Sequence, residues 1–251
     1  MVVRKNIVIT GASSGLGEGM ARKFAAQGRN LALCARRRER LDALAAELVE
    51  RHPGIRVVVR ELDVNDHDRV FTVFEEFRAE LGTLDRVIVN AGLGKGQPIG
   101  KGHFDANRQT VETNLVAGLA QCEAAVSIFR EQNAGHLVVV SSFSALRGMP
   151  RNMTAYAASK AGIATLADGI RVDLLNTPIR VTTVLPGYIE SEMTRRSSGR
   201  TPLLASAETG VRALVNVIEK EPVRACVPSW PWTPLSVLVR VAPARLLRRF
   251  V

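Results

Sequence analysis

The sequence predicts a doubly wound α/β fold: one mostly parallel, Rossmann-like sheet with helices on both faces, in a single domain over residues 1–251. Three observations carry this. Short apolar, β-branched runs recur along the chain, and helix-like stretches follow them. The runs are continuous rather than alternating, as in strands buried on both faces. The first run, "NIVIT" (6–10), passes directly into a glycine-rich turn, "GASSGLG", that opens a helix. With 251 residues, 46% of them hydrophobic, the chain has material for one substantial core.

The elements follow in order. The first helix runs to about Gln27, and Gly28 stops it. "LALCA" is the second strand, and "RRERLDALAAELVER" is an amphipathic helix closed by "HPG". "IRVVVREL", the helix-like "DRVFTVFEEFRAEL" and the strand "DRVIVN" come next. A Gly/Lys-rich loop over about 92–103 leads to a long helix around "VETNLVAGLAQCEAAVSIFREQ". "HLVVVSS" is a strand, Tyr156 opens a helix to about Leu175, and "IRVTTVL" is the last clear central strand. The polar segment 190–202 reads as an exposed loop within the domain.

Charge and composition narrow the partners. The chain has 34 basic and 24 acidic residues, a net charge of +10. Such a surface suits nucleic acid, anionic lipid, an acidic protein or a phosphate-bearing ligand. Aromatic residues are only 5% of the chain and no nucleic-acid reading motif occurs, which argues against nucleic acid. Cys34, Cys122 and Cys226 lie far apart with no Cys-x-x-Cys spacing, so they read as reduced, structural thiols. The four histidines lack metal-ligand spacing, and no metal is expected. A strand begins almost at residue 1, leaving no room for a signal peptide, and no apolar run reaches membrane-spanning length. A cytoplasmic location is expected.

In such a sheet, ligands bind outside the carboxyl ends of the strands. Four groups fall there. Gly11, Gly15 and Gly17 would let backbone approach a pyrophosphate at a helix N-terminus. Their spacing, G-x-x-x-G-x-G, differs from the common dinucleotide fingerprint. At the end of the second strand, where NAD sites often place an acidic residue, stand Ala35 and then Arg36, Arg37 and Arg38. A guanidinium accepts a 2′-phosphate that a carboxylate would repel, so Arg36 favours NADP(H). Arg37, Arg38 and Arg40 read as the polar face of the following helix. Asn90 and Gly92 end the fourth strand. Finally, "VVVSSFSALRGMP" leads into "TAYAASKAG", where Tyr156 and Lys160 lie one helical turn apart on one face.

Taken together, "TGASSGLG", "NAG", "NLVAG", "SS" with "YAASK", and "PGYIES" resemble the motifs of the short-chain dehydrogenase/reductase family, in order and over nearly the whole chain. The resemblance implies a hydride-transferring oxidoreductase that interconverts a carbonyl and an alcohol, with an apolar ketone or aldehyde as the expected substrate. It implies a catalytic set of Asn114, Ser142, Tyr156 and Lys160. Tyr156 would exchange the proton, Ser142 would orient the substrate oxygen, and Asn114 would hold a water in a proton relay. Lys160 would bind the nicotinamide ribose and lower the tyrosine's ionisation toward neutral pH. The implied coenzyme contacts are Gly11, Ser13, Ser14, Gly15, Leu16, Gly17, Arg36, Asp63, Val64, Asn90, Gly92, Tyr156, Lys160, Pro186, Gly187 and Ile189. Asp63 would sit beside the adenine and Ile189 at the carboxamide. The family is usually dimeric or tetrameric, so a homodimer or homotetramer is expected. The rival reading is a catalytically silent NADP-binding regulator. An intact Ser/Tyr/Lys/Asn set argues against it.

Two features depart from the simple picture. Thirteen residues separate Ser142 from Tyr156 where the family usually has twelve. The extra one falls in "RNMTA", which keeps Ser142 in register and makes Ser144 the runner-up. The second is a basic, apolar extension over about 230–251, which Pro243 interrupts. It reads either as a helix packed on the sheet or a neighbouring subunit, or as a peripheral membrane contact. In the second case Trp230, Trp232, Leu246, Leu247 and Phe250 would enter the lipid.

Overall fold

A computed structural model describes residues 3–195, 203–243 and 245 of the chain. The sheet contains β1 (Asn6–Thr10), β2 (Asn30–Ala35), β3 (Val57–Glu61), β4 (Arg86–Val89), β5 (Gly135–Val140), β6 (Ile179–Pro186) and β7 (Arg224–Val227). All are parallel, in the order β3-β2-β1-β4-β5-β6-β7. The order reverses between β1 and β4, and at such a switch point the strand ends part to form a crevice.

Burial on both faces explains the continuous apolar runs. Val8 faces a layer built on α3 (His67–Leu81), α5 (Ala117–Gln132) and α6 (Thr154–Asp173), with Phe74, Phe77 and Phe129 at its centre. Its neighbours Ile7 and Ile9 face the opposite layer. That layer is α1 (Gly15–Ala26), α2 (Arg38–Arg51) and α8 (Ala207–Glu219), centred on Met20, Phe24 and Leu41. Successive strand residues point to opposite sides, so each must be apolar when helices cover both. Cys34, Cys122 and Cys226 are buried free thiols.

Three elements differ from the sequence expectation. The helix expected over 111–132 begins earlier, as α4 (Phe104–Val111), and passes through a π-turn, Glu112–Val116, before α5. β7 and α8 carry no sequence forecast. β7 is only four residues with two of them partly or fully exposed, too short for a pattern to register. Ser206 caps the start of α8, its hydroxyl accepting a hydrogen bond from the Thr209 amide. Within the 190–202 segment the described part forms a short helix, α7 (Glu192–Arg195), and Ile189 pairs with Ala205 across its base.

The C-terminal stretch forms α9 (Ser229–Val241), ending just before Pro243. Trp232 is 4% exposed and packs with Phe143, Leu185 and Cys226. It is therefore not available to lipid, which corrects the expectation of its insertion; Trp230 alone of the pair is exposed. Leu246, Leu247 and Phe250 lie outside the described residues. No helix among the described residues is long and apolar enough to cross a membrane.

Candidate active site

The carboxyl ends of β1 to β6 surround one cleft of about 590 Å³. Its floor is the turn between β1 and α1. Gly11 has φ +66° and a side chain there would meet Ala91; one at Gly17 would run into the Gly11 carbonyl. The turn is clasped from the next strand end. Asn90 Nδ2 donates to the Thr10 carbonyl at 2.9 Å, and Thr10 Oγ1 accepts from the amides of Asn90 and Ala91, both at 3.0 Å. Asn90 lines the cleft, but its amide side chain is committed to holding the turn.

Ser14 is the N-cap of α1, yet it makes no side-chain cap. Its hydroxyl instead accepts from Arg37 Nη2 at 2.6 Å. The first-turn N–H groups of α1 thus carry no capping side chain, the arrangement that suits a phosphate. Ser13, Ser14, Gly15 and Leu16 line the cleft beside them, whereas Gly17 lies behind.

At the end of β2, Arg36 lines the cleft and makes no hydrogen bond or ion pair with another described residue. Arg38 pairs with Asp42 along the outer face of α2, as expected. Arg40 also lies on the exposed face of α2, as expected, whereas the helix-face reading of Arg37 is corrected. Arg37 turns back over the glycine turn, with Nε donating to Ser13 Oγ at 3.1 Å and Nη1 to Glu192 Oε2 at 3.1 Å. Arg40 donates to Glu192 Oε1 at 2.7 Å. Hydrogen bonds from Arg40 and Arg37 hold the Glu192 carboxyl below the usual range. Sequence reading missed Glu192 because its partners lie about 150 residues away, and only the folded chain brings the segment after β6 to the end of β2.

On the third side are Asp63 and Val64, with Asp63 Oδ1 accepting from the Asn65 amide at 3.0 Å. Pro186, Gly187 and Ile189 form the far wall. A side chain at Gly187 would overlap the Trp232 ring, so packing against α9 by itself requires glycine here.

Beyond the turn lie the polar residues of β5 and α6. The neighbouring Ser142 hydroxyl eases the ionisation of the Tyr156 phenol, but burial outweighs this and pushes the tyrosine above its ordinary value. Ser144 Oγ donates to Ser142 Oγ at 2.9 Å, so Ser142 is the hydroxyl next to Tyr156 and Ser144 stands behind it. Where the extra residue was expected, just before α6, Arg151 has φ +57° and opens a 3-10 turn, Arg151–Met153.

Lys160 is 5% exposed, and burial brings its ammonium down to about 8. Nζ donates to the Val140 carbonyl at 2.9 Å. The expected lowering of Tyr156 by Lys160 is therefore not found: the ammonium is drawn to the strand end, and desolvation dominates the phenol. Asn114 sits in the π-turn, 3% exposed, behind the cleft wall. Its Oδ1 accepts from the Leu93 amide at 2.7 Å, and Nδ2 donates to the Leu93 carbonyl at 2.9 Å and to Ser159 Oγ at 3.1 Å. A side chain on Gly92 would come within 3.3 Å of both Asn114 Oδ1 and Lys160 Nζ, so glycine leaves room where the two converge.

These residues fit a dinucleotide: an uncapped helix start, a turn that tolerates no Cβ, an unpartnered guanidinium, and a hydroxyl pair at the opposite end. Residues 5–201 match the family model described as short chain dehydrogenase. The chain is 57% identical over 249 residues to an uncharacterized oxidoreductase of Mycobacterium tuberculosis, covering 99% of this chain and 98% of that protein. An alcohol dehydrogenase from the archaeon Thermococcus sibiricus, solved with 5-hydroxy-NADP, superposes with a TM-score of 0.79 at 25% identity, covering 90% of this chain and 97% of that one. An NADPH-dependent 3-quinuclidinone reductase from Rhodotorula rubra gives 0.77 at 26% identity, covering 85% and 84%. The chain belongs to the short-chain dehydrogenase family of oxidoreductases.

Proposed function

We propose that the protein is an NADP(H)-dependent carbonyl reductase acting on an apolar ketone or aldehyde. The observation that supports it best is one cleft that brings Ser142, Tyr156 and Lys160 to one end and, at the other, Arg36, which has no partner among the described residues. The coenzyme, when bound, supplies hydride to the substrate carbon or takes it back in the reverse direction. The protein supplies the rest. Tyr156, protonated at neutral pH, gives its phenolic proton to the carbonyl oxygen as that oxygen gains charge. Ser142 donates a hydrogen bond to the same oxygen and fixes its direction. The Lys160 ammonium, held by the Val140 carbonyl, keeps two further donors that can hold ribose hydroxyls. Asn114 braces the Leu93 segment that lies over Lys160, and the free lone pair of its Oδ1 can take a relay water.

The other proposed contacts divide by task. Gly11, Gly15 and Leu16, with the start of α1, receive the pyrophosphate, and Asp63 and Val64 flank the adenine. Arg36 receives the 2′-phosphate. NADPH is expected to bind at least about tenfold tighter than NADH, roughly 1.4 kcal/mol. Arg36→Asp should narrow or reverse that preference. Titration of both coenzymes, with NADPH oxidation across carbonyls of increasing chain length, is the test. Equal affinities in the unmodified protein would defeat the NADP reading, and no turnover of any carbonyl would defeat the reductase.

A further inference from the structure

We propose that Glu192 is a specificity-determining residue for the coenzyme: its carboxylate occupies donors of Arg37, the guanidinium beside Arg36, so it competes with a 2′-phosphate held at Arg36 for that neighbouring guanidinium. The inference rests on the NADP reading above and concerns how that preference is set.

The geometry is local. Glu192 presents both carboxylate oxygens inward, one to Arg37 at 3.1 Å and one to Arg40 at 2.7 Å. Arg37 simultaneously holds Ser13 and Ser14, the two hydroxyl residues of the glycine turn. Arg36 lines the same cleft beside it, without a partner among the described residues. A doubly charged phosphate at Arg36 therefore meets a second guanidinium whose outer N–H is already taken by a carboxylate. Arginine donors arranged this way serve carboxylate and phosphate alike. Two like charges at one guanidinium destabilise each other, so a phosphate beside Arg37 weakens the Glu192 contact.

The pair is also weak enough to be exchanged. The Arg37 and Glu192 side chains are 38% and 41% exposed, and ion pairs so placed contribute little. Glu192 belongs to α7, which begins at the end of the cleft wall formed by Pro186, Gly187 and Ile189. A coenzyme lacking the phosphate leaves the Glu192–Arg37 contact in place; one carrying it weakens the contact.

The test uses coenzyme fragments, so it does not depend on turnover. Dissociation constants for 2′,5′-ADP and 5′-AMP are measured by calorimetry on the full chain and on Glu192→Gln. The amide keeps size and hydrogen bonding but removes the charge. The variant is expected to bind 2′,5′-ADP about fivefold tighter, the upper end for an exposed ion pair, and 5′-AMP within about twofold of the unmodified protein. Thermal unfolding of the variant checks that the fold is kept. If the unmodified protein prefers 2′,5′-ADP but Glu192→Gln leaves the ratio unchanged or lowers it, the role of Glu192 is overturned and the NADP reading stands. If the unmodified protein binds both fragments equally, both fall.

Discussion

Opposing influences act on Tyr156. Burial, with a smaller push from Tyr188, raises its ionisation, and the Ser142 hydroxyl pulls it back. The balance leaves a protonated phenol at neutral pH, the state needed to give a proton to a carbonyl. Tyr156→Phe keeps the ring and removes only the proton, so turnover is expected to fall by about 10²- to 10⁴-fold. NADPH affinity should stay within about twofold. A comparable loss of coenzyme binding would show that the phenol acts mainly as a coenzyme contact. The serines make a second test. Ser142→Ala removes the hydroxyl on the phenol, whereas Ser144→Ala removes only the donor behind it. Ser142→Ala should be the more damaging for turnover; the reverse order would place the wrong serine at the substrate.

At the scale of elements, the site was legible where a local rule has one outcome. The turn at 11–16, the strand-end "NAG" and the one-turn spacing of Tyr156 and Lys160 all depend on residues close in sequence, and all of them come to the cleft. What sequence could not supply depends on distant packing. The π-turn around Asn114 leaves no distinctive pattern in "ETNLV". The turn of Arg37 away from α2 needs Ser13, Ser14 and Glu192 as partners. Gly187 illustrates the difference sharply: its motif suggests a coenzyme contact, but Trp232 of α9 already forbids a side chain there. Trp232 meets Phe143 edge-on at a ring separation of 4.7 Å and Tyr188 at 5.6 Å. Gly187→Ala must displace it, with an expected loss of about 1–3 kcal/mol, as in other overpacked cores. Trp232→Ala alone should lose about 3–5 kcal/mol. In the double variant the clash disappears, so Gly187→Ala should then be nearly neutral. Urea unfolding of the four proteins measures this, and an equal effect of Gly187→Ala in both backgrounds would show that the ring is not the obstacle.

Across the whole molecule, the two ends of the sheet bury ionisable groups to different ends. At the amino end, Arg86 is fully buried, donating to His136 Nδ1 at 2.9 Å and pairing with Glu219 at 2.7 Å. His136 Nε2 meets Thr182 at 2.9 Å, and burial holds the imidazole well below its ordinary value, hence neutral. Every member of that group has a partner. At the carboxyl end, Lys160 has the Val140 carbonyl and no carboxylate within the hydrogen bonds or ion pairs of the described residues. Its ammonium titrates near 8 in the folded chain against 10.5 when free. The sign follows from proton binding. Between about pH 8 and 10.5 the unfolded chain holds a proton on this residue that the folded chain has released, so stability rises with pH across that window. Below it, both states are protonated and the folded one carries the full desolvation penalty, roughly 3 kcal/mol for such a shift. Lys160→Met removes the charge and keeps most of the volume. In the protein without added coenzyme, Lys160→Met should be the more stable form at pH 7, even though it cannot turn over. The loss of the Val140 hydrogen bond, about 1 kcal/mol, offsets only part of the gain. Its advantage should shrink by up to about 3 kcal/mol as the pH is raised to 10.5, because only the unmodified protein gains stability there. Urea unfolding of both proteins at pH 7 and near pH 10 gives the difference directly, with every other titrating group common to the two. A difference independent of pH would mean that the buried ammonium is not strained at all, and that the site holds Lys160 without destabilising the fold.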